Sequence, residues 1–342
     1  MDRRSSIRAD LAAIVRFARP LKHDVGPPLP PPLPEGRVVN LPGRGEVFIR
    51  QGPDSPGPAV LLLHGWALSA DLNWFSGVYE VAARHGRMVA IDHRGHGRGL
   101  RSDEPFSLEA AADDVAALIT HLGLGPVVLV GYSMGGSISL LLSRRHRHLT
   151  AGLVLVATGL QWRGSTRERL LWSTMVVLEY GHRLGNPTGL VNRYLQDAAE
   201  RTPALKPYVG WLKAEARRGD LSDLAAAGRN MATFDARPFA ADVDVPTAVV
   251  LTTRDRIVRR ERQQELAAAI PRARTVEVEG AHNAWLLQPE VFAAAIDEAL
   301  RLVLPCCQAG LGSNAEPEPR NPPRSGFGQG RWHAPPSEQT DA

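Results

Sequence analysis

Apolar and polar positions change period repeatedly along this chain, and the changes mark out its elements. Short apolar runs at Val38–Leu41, Glu46–Gln51, Ala59–His64, Met88–Asp92, Val127–Tyr132 and Leu153–Val156 read as strands. The run Pro126 to Val130 is β-branched and uninterrupted, the pattern of a strand covered on both faces of a parallel sheet. Between the runs, helical spacing appears over Asp71–His85 and Leu108–Leu122, and again from Ser137 to Arg145. Alternation of this kind predicts crossover units: a mostly parallel sheet with helices on both faces. From Gln161 to about Ala236 the strand pattern stops and helical segments rich in tryptophan, tyrosine, leucine and arginine take over, as in an inserted cap. Strands return at Thr247–Thr252 and Thr275–Val278, with helices at Arg260–Ala269 and Glu290–Val303, which brings the sheet to eight strands.

The ends differ from this body. Ile7, Leu11, Ile14, Val15 and Ala18 share one helical face, with Arg8, Arg16 and Arg19 on the other, a basic amphipathic helix. Two placements are open to it: docking on the body of the protein, or peripheral contact of residues 7–18 with an anionic membrane surface. "GPPLPPPLPEG", residues 26–36, follows as a semi-rigid extended linker. After Pro305 the chain is dense in proline, glycine and polar residues and too poor in aliphatic ones to offset its ordering entropy, so disorder is expected there. The expected organisation is therefore an N-terminal helix (1–25), a linker (26–36), an α/β core (37–160 and 237–304), a helical cap (161–236) and a tail (305–342).

Composition narrows the class. The 342 residues are 44% hydrophobic and 22% charged, as in soluble globular proteins. The formal charge is only +4, and three of the 40 basic residues are lysines, so the basicity is dispersed arginine. No basic stripe with interleaved aromatics is present, and nucleic acid is not an expected partner. Cys306 and Cys307 are adjacent and form neither a disulfide framework nor a spaced metal site. The N-terminal apolar stretch is cut by Arg16 and is too short for a signal-peptide core, so a cytoplasmic location is expected, with the membrane surface open to the N-terminal helix.

The candidate chemistry begins at "VLVGYSMGGS", residues 128–137. Gly131 and Gly135 bracket Ser133 in a G-x-S-x-G pattern, in which a strained strand-to-helix turn presents a serine hydroxyl. A serine needs a histidine to take its proton, and that histidine works best with a carboxylate fixing its tautomer. Two loops at carboxyl ends of later strands offer both: Asp255 follows Thr247–Thr252, and His282 follows Thr275–Val278. Asp255 has a competing role as a helix cap or as a surface partner of Arg254 and Arg256. Oxyanion donors are expected from the backbone amides of Met134, at a helix start, and of Trp66, with Gly65 turning the chain after the third strand. Trp74 is expected to pack.

His64-Gly65-Trp66, the block Asp92-His93-Arg94-Gly95-His96-Gly97, the Ser133 elbow, Asp255 and His282 together resemble the α/β-hydrolase fold superfamily, over roughly residues 37–303. The resemblance implies a serine hydrolase with Ser133 as nucleophile, His282 as general base and then acid, Asp255 as its orienter, and the Trp66 and Met134 amides as oxyanion hole. It gives Asp92, Arg94 and His96 structural roles beside the site, with His64, Gly65, Gly131 and Gly135 as motif positions, and requires neither metal nor cofactor. Branches that open epoxides or displace halide carry aspartate where this chain has Ser133. The sequence departs from the pattern in "TTRDRIV" and "EGAHNA", around the acid and the histidine.

The cap's aromatic and apolar residues, among them Trp162, Trp172, Tyr194, Trp211, Met231 and Phe234, divide between packing onto the core and lining an acyl pocket. The expected substrate is a carboxylic ester with an acyl or lipid-like chain, as for a carboxylesterase or monoacylglycerol lipase. A carbon–carbon bond hydrolase or cofactor-free peroxidase would use the same triad, and a non-catalytic binding module would keep only the fold.

Overall fold

Alternate residues of each central strand enter two different cores. In β3 (Val60–Leu63), Leu61 and Leu63 join one apolar cluster while Val60 and Leu62 join the other. β5 (Val127–Tyr132) divides the same way, with Leu129 on one side and Val128 and Val130 on the other. A strand buried on both faces gains nothing from polar alternation, which is why these segments read as unbroken apolar runs. The computed structural model describes residues 28–163 and 188–312.

The sheet has eight strands in the order β1-β2-β4-β3-β5-β6-β7-β8. β1 (Glu35–Leu41) and β2 (Gly45–Gln51) form an antiparallel hairpin, and β2 is antiparallel to β4 (Met88–Ile91). From β4 onward, through β3, β5, β6 (Thr150–Val156), β7 (Thr247–Thr252) and β8 (Arg274–Val278), every pairing is parallel. Chain order reverses direction across the sheet at β3, so the loops after β3 and β5 open beside each other. In a doubly wound sheet that crevice is the ordinary ligand site.

Helices cover both faces. α1 (Ala70–Trp74) and α2 (Val78–His85) follow β3, α3 (Leu108–His121) follows β4, and α4 (Met134–Arg145) follows β5. Between β6 and β7 the described residues form α5 (Thr188–Arg201), α6 (Val209–Glu215) and α7 (Leu221–Met231), with one isolated bridge, Gln161 to Asp235. α8 (Arg260–Ala269) links β7 to β8, and α9 (Ala284–Leu287) and α10 (Pro289–Gly312) follow β8.

Three local expectations are corrected. The helix expected over Asp71–His85 is two helices, because Gly77 adopts a left-handed φ of 92° that no right-handed helix can continue through. The linker ends two residues early: Glu35 and Gly36 already pair with Gln51 and Arg50, directly after Pro34, the last residue unable to donate to the ladder. The last helix runs past Pro305 to Gly312, so 305–312 are helical and not part of a disordered tail. Pro305 is solvent-exposed, so the carbonyl deprived of its donor can be hydrated. In the loop after β3 the left-handed residue is Ala67, with φ 59°. The amphipathic helix of residues 7–18, the first part of the cap (with Trp172) and residues 313–342 lie outside the described residues. No described helix is long and apolar enough to cross a membrane.

Candidate active site

Ser133 sits between the last residue of β5 and the first of α4, at φ 53° and ψ −114°, a backbone conformation that a side chain makes costly. Its amide donates to the Val156 carbonyl (2.8 Å), and its carbonyl accepts from Gly136 (2.9 Å), so the turn is held from both sides. The turn also needs room. A Cβ on Gly135 would fall 2.0 Å from the Leu63 carbonyl oxygen, and one on Gly131 would fall 2.4 Å from that of Gly135. Gly65 is required for the same reason, because a Cβ there would meet the Tyr132 ring at 2.7 Å and the Ser133 Cβ at 3.4 Å. The β3 loop is thus pressed against the serine, with Trp66 the next residue along and Met134 opening α4.

The three distant residues meet. His282, on the loop after β8, places Nε2 3.1 Å from Ser133 Oγ, and its Nδ1 lies 2.7 Å from Asp255 Oδ2. The Asp255 carboxyl group is fully buried on the loop after β7. Its Oδ1 accepts from the amides of Ile257 (2.8 Å) and Val258 (2.9 Å), and its Oδ2 also accepts from the Thr252 hydroxyl (2.8 Å). Neither flanking arginine draws it to the surface: Arg254 pairs with Glu279 instead. With the carboxylate accepting, His282 Nδ1 carries the proton and Nε2 faces Ser133 as an acceptor.

Three supports were not visible in the sequence. Gln263 of α8 donates from Nε2 to the Thr252 hydroxyl (2.9 Å) and accepts from the Thr252 amide (2.9 Å), extending a chain of contacts Gln263–Thr252–Asp255–His282–Ser133. Tyr132 packs between the rings of Trp74, Phe292 and His282, and its hydroxyl donates to the His282 carbonyl. Burial pushes that phenol well above its ordinary range, so it remains a donor. Asn283, beside the histidine, donates to the Tyr194 hydroxyl of α5 (2.6 Å). The available signals were faint: a threonine ending an apolar strand, and one glutamine on the buried side of a charged helix.

The residues expected to be structural lie behind this site. Asp92 accepts from the amides of Ala70 (2.7 Å) and Arg98 (2.8 Å), tying the loop after β4 to α1. Arg94 forms a two-pronged pair with Asp114 of α3, at 2.6 and 2.9 Å. His64 is completely buried and donates from Nδ1 to the Gly65 carbonyl (2.8 Å), while Nε2 accepts from the His93 amide (3.0 Å). His96 donates to the Arg94 carbonyl (2.9 Å) and packs against Phe106.

Above Ser133 and His282 opens a cavity of about 640 Å³. Trp66, Leu68, Trp162, Met231 and Trp285 give it apolar walls, and Arg254, Arg256 and Asn283 also border it. Of the cap residues singled out in the sequence, Trp162, Tyr194 and Met231 reach this cavity, whereas Trp211 packs edge-on against Phe75. Trp74 is fully buried, as a packing residue should be. The Trp66 indole donates to the Leu224 carbonyl of α7 (2.7 Å), binding the β3 loop to the helices between β6 and β7. No group of metal-ligating side chains occurs among the described residues.

The family model of the alpha/beta hydrolase fold matches residues 58–289, from just before β3 to the start of α10. The chain belongs to the α/β-hydrolase family. This hydrolase is 25% identical over 253 residues to the AB hydrolase superfamily protein YisY of Bacillus subtilis, covering 68% of this chain and 88% of the relative. It is 29% identical over 241 residues to the pimeloyl-[acyl-carrier protein] methyl ester esterase of Neisseria meningitidis, covering 69% and 74%. Among solved structures, a thermophilic esterase from Thermogutta terrifontis superposes with a TM-score of 0.64 at 25% identity, over 79% of this chain and 99% of that one.

In this hydrolase a buried charge cluster joins the helices between β6 and β7 to the loop beside the site. Arg98 reaches Asp71 of α1 (2.6 Å), Glu215 of α6 (3.3 Å) and Asp92 (3.4 Å), and stacks 4.0 Å over the Phe48 ring. Arg50 supplies the second cation, with a two-pronged pair to Asp71 at 2.9 and 2.8 Å. Without Arg98, Asp71 keeps Arg50 and Glu215 keeps Arg218 (2.7 Å), but Asp92 is left buried without a cation and the other two lose a shared charge, a cost of about 3 kcal/mol. Arg98→Gln is therefore expected to lower the urea midpoint, and adding Glu215→Gln to that variant to restore part of the loss. Equal and additive losses in a double-mutant cycle would show no coupling.

Proposed function

We propose that this protein is a serine hydrolase of carboxylic esters with an apolar acyl chain, acting through an acyl-enzyme. The reading rests on one observation above all: Ser133, His282 and Asp255 form a continuous hydrogen-bonded series at the edge of an apolar cavity. His282 Nε2 takes the Ser133 proton as Oγ attacks the ester carbonyl carbon. The oxyanion so formed is held by the amides of Trp66 and Met134, the latter in the first turn of α4, where helical N–H groups lack intrahelical acceptors. Asp255 supports the imidazolium, which then protonates the departing alcohol. Water, deprotonated by the same nitrogen, releases the acid and returns the proton to Ser133. The helices between β6 and β7 act as a cap that supplies part of the acyl pocket.

Serine at the elbow favours this chemistry over epoxide opening, which uses aspartate there. An esterase relative of similar length points the same way. Intact-mass labelling with a fluorophosphonate provides the test. A single adduct on the wild type that disappears in both Ser133→Ala and His282→Ala is the expected result, and a folded wild type that takes no adduct would overturn the reading.

A further inference from the structure

The walls of the cavity are apolar, yet its charge is one-sided. Among the described residues that line it, two are arginines, Arg254 and Arg256, and none is a carboxylic acid. Asp255 lies between them in sequence but points inward, with both oxygens committed to Ile257, Val258, Thr252 and His282. Arg254, Arg260 and Arg262 each have a glutamate partner: Glu279, Glu277 and Glu265 respectively. Arg256 has no ion pair among the described residues, and the neighbouring Asn283 amide is engaged with Tyr194.

We propose that the cavity selects single-chain substrates that carry an anionic group, a carboxylate or a phosphate, and that Arg256 recognises that group. The proposal deepens the esterase reading and rests on it. A guanidinium in open water gains little from an anion. At the rim of a cavity walled by Trp66, Trp162 and Trp285 its field is concentrated by the low-dielectric surface beside it. Its planar fork matches the two oxygens of a carboxylate or a phosphate, which a lysine would meet only as a point charge. An apolar chain against the tryptophans and an anion on Arg256 would then satisfy both features of the cavity at once, whereas a neutral ester would satisfy only the first.

Because three tryptophans line the cavity, binding can be read by their fluorescence without turnover. The probes are decanoate, decyl phosphate and decanol, titrated below their micelle concentrations. Wild type is expected to bind the anions more tightly than decanol, and in Arg256→Gln that preference should fall by about fivefold, the upper worth of an exposed charge pair. Arg256→Glu should reverse it, and raising salt from about 0.02 to about 0.5 M should weaken only the anions. A preference that falls for one anion alone assigns the group as that one. The kinetic counterpart is the kcat/KM ratio of mono-p-nitrophenyl suberate to p-nitrophenyl octanoate, expected to fall by the same factor in Arg256→Gln. Equal binding of all three probes by the wild type, or an unchanged preference in Arg256→Gln, overturns the proposal. Fluorophosphonate labelling of Ser133 is unaffected by those outcomes, so failure here and failure of the esterase reading are told apart.

Discussion

Replacement of Ser133 by alanine is expected to slow ester hydrolysis by roughly a million-fold, and Asp255→Asn by about ten-thousand-fold. The difference follows from the geometry. Without Oγ there is no nucleophile 3.1 Å from His282 Nε2, and the remaining histidine and carboxylate have nothing to activate. With asparagine at 255 the nucleophile stays, but a neutral amide replaces the carboxylate that accepts from Nδ1, so the imidazole loses both its tautomer preference and the charge that supports its protonated form. Because the proposed mechanism places the three residues in one proton path, the losses are not expected to add. Ser133→Ala combined with His282→Ala should be no slower than Ser133→Ala alone, measured as kcat on a p-nitrophenyl ester with purified protein. Additive losses would mean that His282 serves some step independent of the serine. The same position also bears on stability. At φ 53° and ψ −114° a glycine is unstrained, so Ser133→Gly should be more stable than Ser133→Ala although both are inactive.

The legible parts of this site are those in which local backbone chemistry and function coincide. Ser133 stands out because the turn that exposes it demands glycine at 131 and 135, and Asp255 and His282 because each follows an apolar run that ends a strand. The boundaries of β5 and β7 were readable for a related reason: both are buried on both faces, so the apolar run and the strand are the same residues. What could not be read is what depends on approach between distant segments. Thr252 and Gln263 look like ordinary strand-end and helix residues until β7 and α8 bring them together. Arg98 gives no sign in sequence that Glu215, 117 residues away, will be its partner. Gly65 is legible as a turn residue, but the ring of Tyr132, which leaves no room for a Cβ there, is not. The break at Gly77 was hidden because the apolar spacing continues smoothly across it. Composition alone predicts disorder from Pro305 onward, but a helix already formed by the apolar spacing before it continues to Gly312.

Acid should destabilise this protein well above the pH at which its carboxylates titrate, because three imidazoles are buried together. His64 lies with its ring 4.4 Å from His93 and 5.5 Å from His96, and all three are at most 1% exposed. Burial holds His64 down to about 4 and His96 down to about 3, and His93 falls well below the ordinary range through burial and its two neighbours. In the unfolded chain each takes up a proton near its ordinary value of about 6.5. Between that value and the folded ones the unfolded state binds more protons, so stability rises with pH and is lost as pH falls through about 6.5 toward 4. At about 1.4 kcal/mol per unit, His64 alone accounts for a loss of about 3 kcal/mol by pH 4. Asp92 and Glu215, raised by burial, take up protons first in the folded state and oppose the loss near the lower end of that window. Protonation of His64 would also cost a specific contact, since its Nε2 could no longer accept from the His93 amide that positions the loop after β4. The urea midpoint is therefore expected to fall steadily from pH 7.5 to pH 5. His93, whose ring nitrogens have no hydrogen-bond partner among the described residues, isolates the cause. In His93→Phe the polar ring is removed without breaking a side-chain bond, so the midpoint at pH 7.5 should hold or rise and its fall toward pH 5 should become shallower. An equally steep fall in that variant would place the acid sensitivity outside the histidine cluster.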